Sequence, residues 1–163
     1  MIRIAALFSL MLFVCSSALA GPPDGYPFVT FDEGMRVAKA QNKKVFVYFG
    51  RPGCAWCEQV NKQTFIDPKL RELYSKNYVL VYVDAESGKR LHLPTGERIS
   101  EADLGVRYKV FGTPMFIYLE PDGKQIVGVP GVQTVQNFLD YDQYVIDGHY
   151  RTQTLLEFLR GKN

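Results

Sequence analysis

Runs of apolar residues, broken by Gly, Pro and charged clusters, divide the chain into short strands and helices that alternate. The clearest strand is residues 44–49, where Val45, Phe46, Val47, Tyr48 and Phe49 follow one another with no polar break. A run that is apolar at every position predicts a central strand covered on both faces, because burial of one face alone would leave alternation. Residues 78–83 repeat the pattern and end at Asp84, so a second buried strand is expected there. Two shorter runs, 115–119 and 125–129, flank Pro121-Asp122-Gly123-Lys124, whose residues suit a tight turn and predict an antiparallel hairpin.

Helices are predicted between these runs. Phe31-Asp32-Glu33 opens one that reaches Gln41 and carries Met35, Val37, Ala38 and Ala40, and Gln41-Asn42-Lys43 breaks it. A helix begins at the cysteine pair at 54 and 57 and runs to Lys62. Another begins where Asp67 caps and Pro68 fills the first turn, with Leu70, Leu73 and Tyr74 as its buried face. Residues 85–99 are polar, with Gly and Pro, and read as an insertion with a small hairpin around Pro94-Thr95-Gly96-Glu97. Ser100 caps a short helix carrying Ala102, Leu104 and Val106. Val135, Phe138, Leu139, Val145 and Ile146 mark a later helix, and Leu155, Leu156, Phe158 and Leu159 a last one, with His149-Tyr150 between them. The order is β-α-β-α-β-β-α with extra helices at the ends, which is the α/β class.

The first twenty residues stand apart from this pattern. Arg3 supplies a charged start, residues 4–14 are almost wholly apolar, and Ala18-Leu19-Ala20 is a small-x-small cleavage site, so a signal peptide removed before Gly21 is expected. The run is too short for a bilayer span of about 20 helical residues. Cys15 does not read as a lipoprotein cysteine, because Leu12-Phe13-Val14 lacks a small residue just before it. Residues 21–163 then have the length of one domain with one core.

Composition narrows the function classes. A formal charge of +2, with acids scattered among the 19 Lys and Arg, offers no basic patch for nucleic acid or an anionic membrane. Of three cysteines one leaves with the leader, and the other two, Cys54 and Cys57, sit three positions apart in a compartment that permits disulfides. A disulfide across so short a loop constrains the unfolded chain little, so its value is chemical.

Cys54-Ala55-Trp56-Cys57 follows a strand and a Gly50-Arg51-Pro52-Gly53 stop, and it opens a helix. A helix N-terminus presents unpaired N–H groups and positive dipole to the first sulfur, which favours thiolate, the nucleophile of disulfide exchange. Cys54 is therefore expected to attack, and Cys57, one turn on and more buried, to resolve. Thr113-Pro114 is the second signal, since a proline opening a strand is unusual and a cis bond there would bring backbone beside the sulfurs.

On these residues the chain resembles periplasmic thioredoxins, specifically the SoxW-like group of exported thioredoxin-related proteins. The matching segments are 44–57, 79–84, 102–114, Asp122-Gly123-Lys124 and 131–150. The resemblance implies a thioredoxin fold, with a central mixed sheet flanked by helices, an insertion after the third-strand region and an extra C-terminal helix. It also implies a cis Pro114 packed on the redox pair, and a Thr113 backbone that pairs with an extended substrate. The implied activity is that of a thiol:disulfide oxidoreductase needing no cofactor. Its partners would be disulfide-bearing client proteins and a membrane-embedded thiol relay as electron donor. Sulfur-compound oxidation is the setting in that group, and cytochrome maturation fits the sequence equally.

One departure concerns proton handling. Thioredoxins bury an Asp six positions before the first cysteine, and here that position is Tyr48. Glu58 has two readings, a substitute base or a first-turn acid complementing the helix dipole. Arg51 either lowers the pKa of Cys54 or is simply solvated, and Trp56 is either a rim aromatic for protein contact or a packing residue. The absence of His between the cysteines argues for a reductase over an oxidant. Cys54, Cys57, His92 and His149 add up to four ligands for zinc or copper, but their spacing gives no reason to converge and no metal is expected. No dimerising module is evident, so a monomer is expected.

Overall fold

In the computed structural model, residues 21–162 are described, and the expected leader at 1–20 lies outside them. β1 (Lys44–Gly50) has six of its seven residues buried, as a run without polar breaks requires. It pairs in parallel with β2 (Tyr78–Asp84), from Lys44 against Tyr78 to Gly50 against Asp84. On its other side it pairs antiparallel with β5 (Met115–Leu119), which in turn pairs antiparallel with β6 (Gln125–Pro130). The strand order β2-β1-β5-β6 makes the sheet mixed.

A parallel bridge from Val29 to Val81 adds a rudimentary partner at the β2 edge. Counting it, β2 is the third strand-forming segment, and residues 85–99 follow it as the predicted insertion. That insertion holds the expected hairpin, β3 (Arg90–His92) against β4 (Arg98–Ser100).

Period-two alternation sorts the sheet into two faces. Phe46, Tyr48, Tyr78, Leu80, Phe116 and Tyr118 point to one core, under α2 (Ala55–Gln63), α3 (Pro68–Asn77), α5 (Val135–Ile146) and α6 (Leu155–Arg160). Val45, Val47, Phe49, Val79, Val81, Val83, Ile117 and Leu119 point to the other. That second core is closed by α1 (Phe31–Gln41), α4 (Glu101–Arg107) and the β3–β4 hairpin, through Met35, Leu104 and Leu91. One face is a wall of aromatic rings; the other is mostly aliphatic.

Local signals set the helix ends. Asp67 accepts the N–H of Leu70, and Ser100 with Asp103, like Thr154 with Glu157, forms a reciprocal capping box. Gly34 lets α1 lie close to the sheet, since a Cβ there would come within 2.2 Å of Val81. In α4 only Leu104 of the three apolar positions is buried and Val106 is 77% exposed, because residues two apart do not share a helix face. Among the described residues no helix is long and apolar enough to cross a membrane.

Candidate redox site

β1 delivers the chain to Gly50, and the turn that follows, with Gly53 at φ +68°, sets Cys54 as the N-cap of α2. Its sulfur accepts the N–H of Cys57 at 3.1 Å, which places a helix-end donor on the first cysteine. Cys54 and Cys57 form a disulfide with a Cα–Cα separation of 5.2 Å. Burial is unequal in the expected sense, with Cys54 4% exposed and Cys57 wholly buried.

The segment before β5 closes over the first sulfur. The Thr113–Pro114 bond is cis and Pro114 is buried. Thr113 donates its hydroxyl to Cys54 Sγ at 3.3 Å, and its carbonyl oxygen lies 3.5 Å from the same sulfur. Two donors, one backbone and one side chain, therefore converge on Cys54.

Behind the pair, Tyr48 is wholly buried against the rings of Phe65, Phe116 and Tyr82. Its hydroxyl faces Asn61 Oδ1 at 3.2 Å and the Cys57 carbonyl at 3.4 Å, and Asn61 donates on to the Gly21 carbonyl. Burial, with a smaller contribution from Tyr82, pushes the Tyr48 hydroxyl well above the usual tyrosine range, so it stays neutral. This position supplies a hydrogen-bond donor and no charge.

The remaining sequence candidates are spread around the rim. Trp56 is 63% exposed and so is not a packing residue. Arg51 pairs with Glu86 at 3.4 Å, in the loop after β2. The Glu58 carboxylate is held by Lys62 one turn on, at 3.1 Å. Among the described residues neither side chain has a polar contact with a sulfur, and no cluster of three or more His, Cys, Asp or Glu is placed to hold a metal ion.

Residues 31–146 match the family model described as a thioredoxin-like domain. The chain belongs to the thioredoxin-like domain family. Its four-stranded mixed sheet between helix layers is the thioredoxin fold, and its Cys54–Cys57 pair is the CxxC site of a thiol:disulfide oxidoreductase-like member. A solved thioredoxin-fold protein from Helicobacter pylori superposes with a TM-score of 0.65 at 26% identity, over 75% of this chain and 80% of that one. Disulfide bond reductase DsbH of Chlamydia pneumoniae is 24% identical over 98 residues, covering 60% of this chain and 58% of the relative. Spermatogenesis-associated protein 20 of Rattus norvegicus is 28% identical over 107 residues, 66% of this chain. That stretch is only 13% of the rat protein's length.

Two features of this thioredoxin-like domain have no counterpart in the sequence reading. Asn61, which fixes the Tyr48 hydroxyl, looks in sequence like any polar helix residue. Phe111, 95% exposed two positions before Thr113, stands on a loop where an aromatic beside glycine was the only available signal.

Proposed function

We propose that this chain is an exported, periplasmic thiol:disulfide oxidoreductase that reduces disulfides of client proteins. The observation that carries this reading is the asymmetry of the pair, with two donors on the Cys54 sulfur and Cys57 out of reach of any partner. In the reduced protein the Cys54 thiolate attacks one client sulfur, forming a mixed disulfide and releasing the first client thiolate. The Cys57 thiolate then attacks Cys54 Sγ, which restores the Cys54–Cys57 disulfide and releases the second client thiolate. Two electrons pass to the client. A membrane-embedded dithiol relay would return them, and no resident cofactor is needed.

Ala55 and Trp56, lacking a His, support the reducing direction, as does the likeness to a protein named a disulfide bond reductase. The Thr113 hydroxyl favours a second reading, because a donor that stabilises the thiolate stabilises the reduced form and makes the pair more oxidising. The reduction potential decides between them. Equilibration with a thiol buffer is expected to give a value near thioredoxin's, about −270 mV; one near about −120 mV would make the protein an oxidant.

The hydroxyl's own effect has a definite sign. Thr113→Val removes a donor to the charged form, so the Cys54 pKa should rise by about one unit, as read from the pH profile of alkylation by iodoacetamide. The potential should become more negative by about 30 mV in the same variant. An unchanged alkylation profile would show that the hydroxyl does not act on the thiolate.

A further inference from the structure

The insertion at 85–99 builds a concave surface with α1, on the face of the sheet opposite the aromatic core. Its hairpin is firmly held. Leu91, Leu93 and Ile99 are buried in the second core, and Leu93 donates its N–H to the Glu97 carbonyl at 2.9 Å. The Glu97 carboxylate is gripped by both terminal nitrogens of Arg107, at 2.9 and 2.6 Å. Alternation then turns His92 and Pro94 outward from a braced segment.

A cleft of about 680 Å³ runs between this hairpin and α1, within the size range of small-molecule sites, about 300–1,000 Å³. Asp32, Met35, Arg36, Lys39 and Ala40 line it from α1, at the spacings of three and four that share one helix face, with Glu33 beside them. His92 and Pro94 form the facing wall. Met35, Ala40 and Pro94 give the cleft apolar surface, and the His92 ring adds a nitrogen for a hydrogen bond.

Charge is ordered along the cleft. Asp32 and Glu33 stand in the first turn of α1, Arg36 one turn on and Lys39 two turns on. Asp32 and Lys39 are seven positions apart, about 10 Å along the helix axis. Glu33 and Arg36 have the spacing at which helix ion pairs form, yet among the described residues neither they nor Lys39 is in an ion pair. A simple anion would leave the acids unanswered, and a simple cation the bases. The complement is a zwitterion with an apolar middle. An extended peptide advances about 3.3 Å per residue, so three residues set its two charged ends about 10 Å apart.

We infer that this cleft binds a short peptide of about three residues. Its free α-amino group meets Asp32 and Glu33, its carboxylate meets Arg36 and Lys39, and an apolar central side chain lies against Met35 and Pro94. The site is separate from the redox pair, which packs on the other face of the sheet.

Ala-Leu-Ala with free termini is the probe, titrated into the full oxidised protein by calorimetry and followed by amide shifts in NMR. Binding is expected to shift α1 and residues 92–94 and to leave residues 54–57 unmoved. Acetylating the amino end or amidating the carboxyl end should each weaken binding about fivefold, the upper end for one partly exposed ion pair. The double variant Arg36→Gln, Lys39→Gln should lose at least as much affinity for the free peptide, bind the amidated one as native protein does, and exchange disulfides at the native rate. Absence of heat and shifts up to millimolar peptide would overturn the inference, as would equal affinity for free and blocked peptides or shifts centred on the cysteines. So would a dimer in sedimentation that the double variant abolishes, with no peptide bound, because antiparallel α1 helices of two copies match the same charges. A native protein that binds the peptide but exchanges no disulfide would sink the redox reading and leave the cleft standing.

Discussion

Cys57→Ser protein is expected to accumulate as a covalent adduct with its client, visible as a reducible band on a non-reducing gel and as the summed mass by mass spectrometry. The serine hydroxyl is too weak a nucleophile to attack the mixed disulfide, so the reaction stops after its first half. Cys54→Ser is expected to form no adduct. With the only attacking sulfur gone and Cys57 wholly buried, turnover of a disulfide substrate should fall by at least about a thousandfold. The two variants should therefore look alike in turnover and opposite on the gel. An adduct formed through Cys57 in the Cys54→Ser protein would reverse the assignment of attacking and resolving thiols.

The second large effect concerns stability. Phe46 lies at the centre of the aromatic face, 1% exposed, with ring contacts to Phe65, Tyr74, Tyr78, Phe116, Tyr118 and Phe138. Its neighbours belong to three different helices or their flanks and to two strands, β2 and β5, so no single element can move in to fill the space. Phe46→Ala should cost about 3–5 kcal/mol and lower Tm by roughly 10 °C or more, as measured by denaturant titration and calorimetry. A loss below about 1 kcal/mol would mean that the face relaxes around the cavity. Because Phe46 and Tyr48 share that face and Tyr48 backs the cysteines, the variant also tests whether the site depends on the wall behind it.

Much of this arrangement was legible in the residues because the signals are local. The unbroken apolar run at 45–49 requires cover on both faces, Asp67 and Ser100 cap where they are expected to, and Pro121-Asp122-Gly123-Lys124 makes the β5–β6 turn. The cysteine pair fell at a strand-to-helix junction for the same reason. What was hidden depends on contacts between segments far apart in the chain. The partner of Arg51 is Glu86, 35 positions on, and only the parallel pairing of β1 with β2 brings their loops together. Val106 was counted with Leu104 as apolar, yet a two-residue spacing on a helix points the pair in different directions. Tyr48 was recognisable as a missing acid, but that its hydroxyl would be met by Asn61 required the geometry of α2 over β1. Phe111 was invisible as an outward-facing group, since nothing in a Val-Phe-Gly sequence distinguishes a ring in water from one in a core.

The short span of the Cys54–Cys57 bridge has a consequence for the protein's lifetime. Chain-entropy arguments give a loop of this size about 2 kcal/mol of stabilisation, against about 4.7 for one of 100 residues. With typical domain stabilities of about 5–15 kcal/mol, opening the bridge leaves the folded form dominant. About 2 kcal/mol is still about thirtyfold in the folding equilibrium, so proteases that cut transiently unfolded chains would find correspondingly more targets in a reduced population than in an oxidised one. The molecule therefore stays folded through each cycle of its own chemistry, while its rate of degradation would rise with the time it spends waiting to be reoxidised.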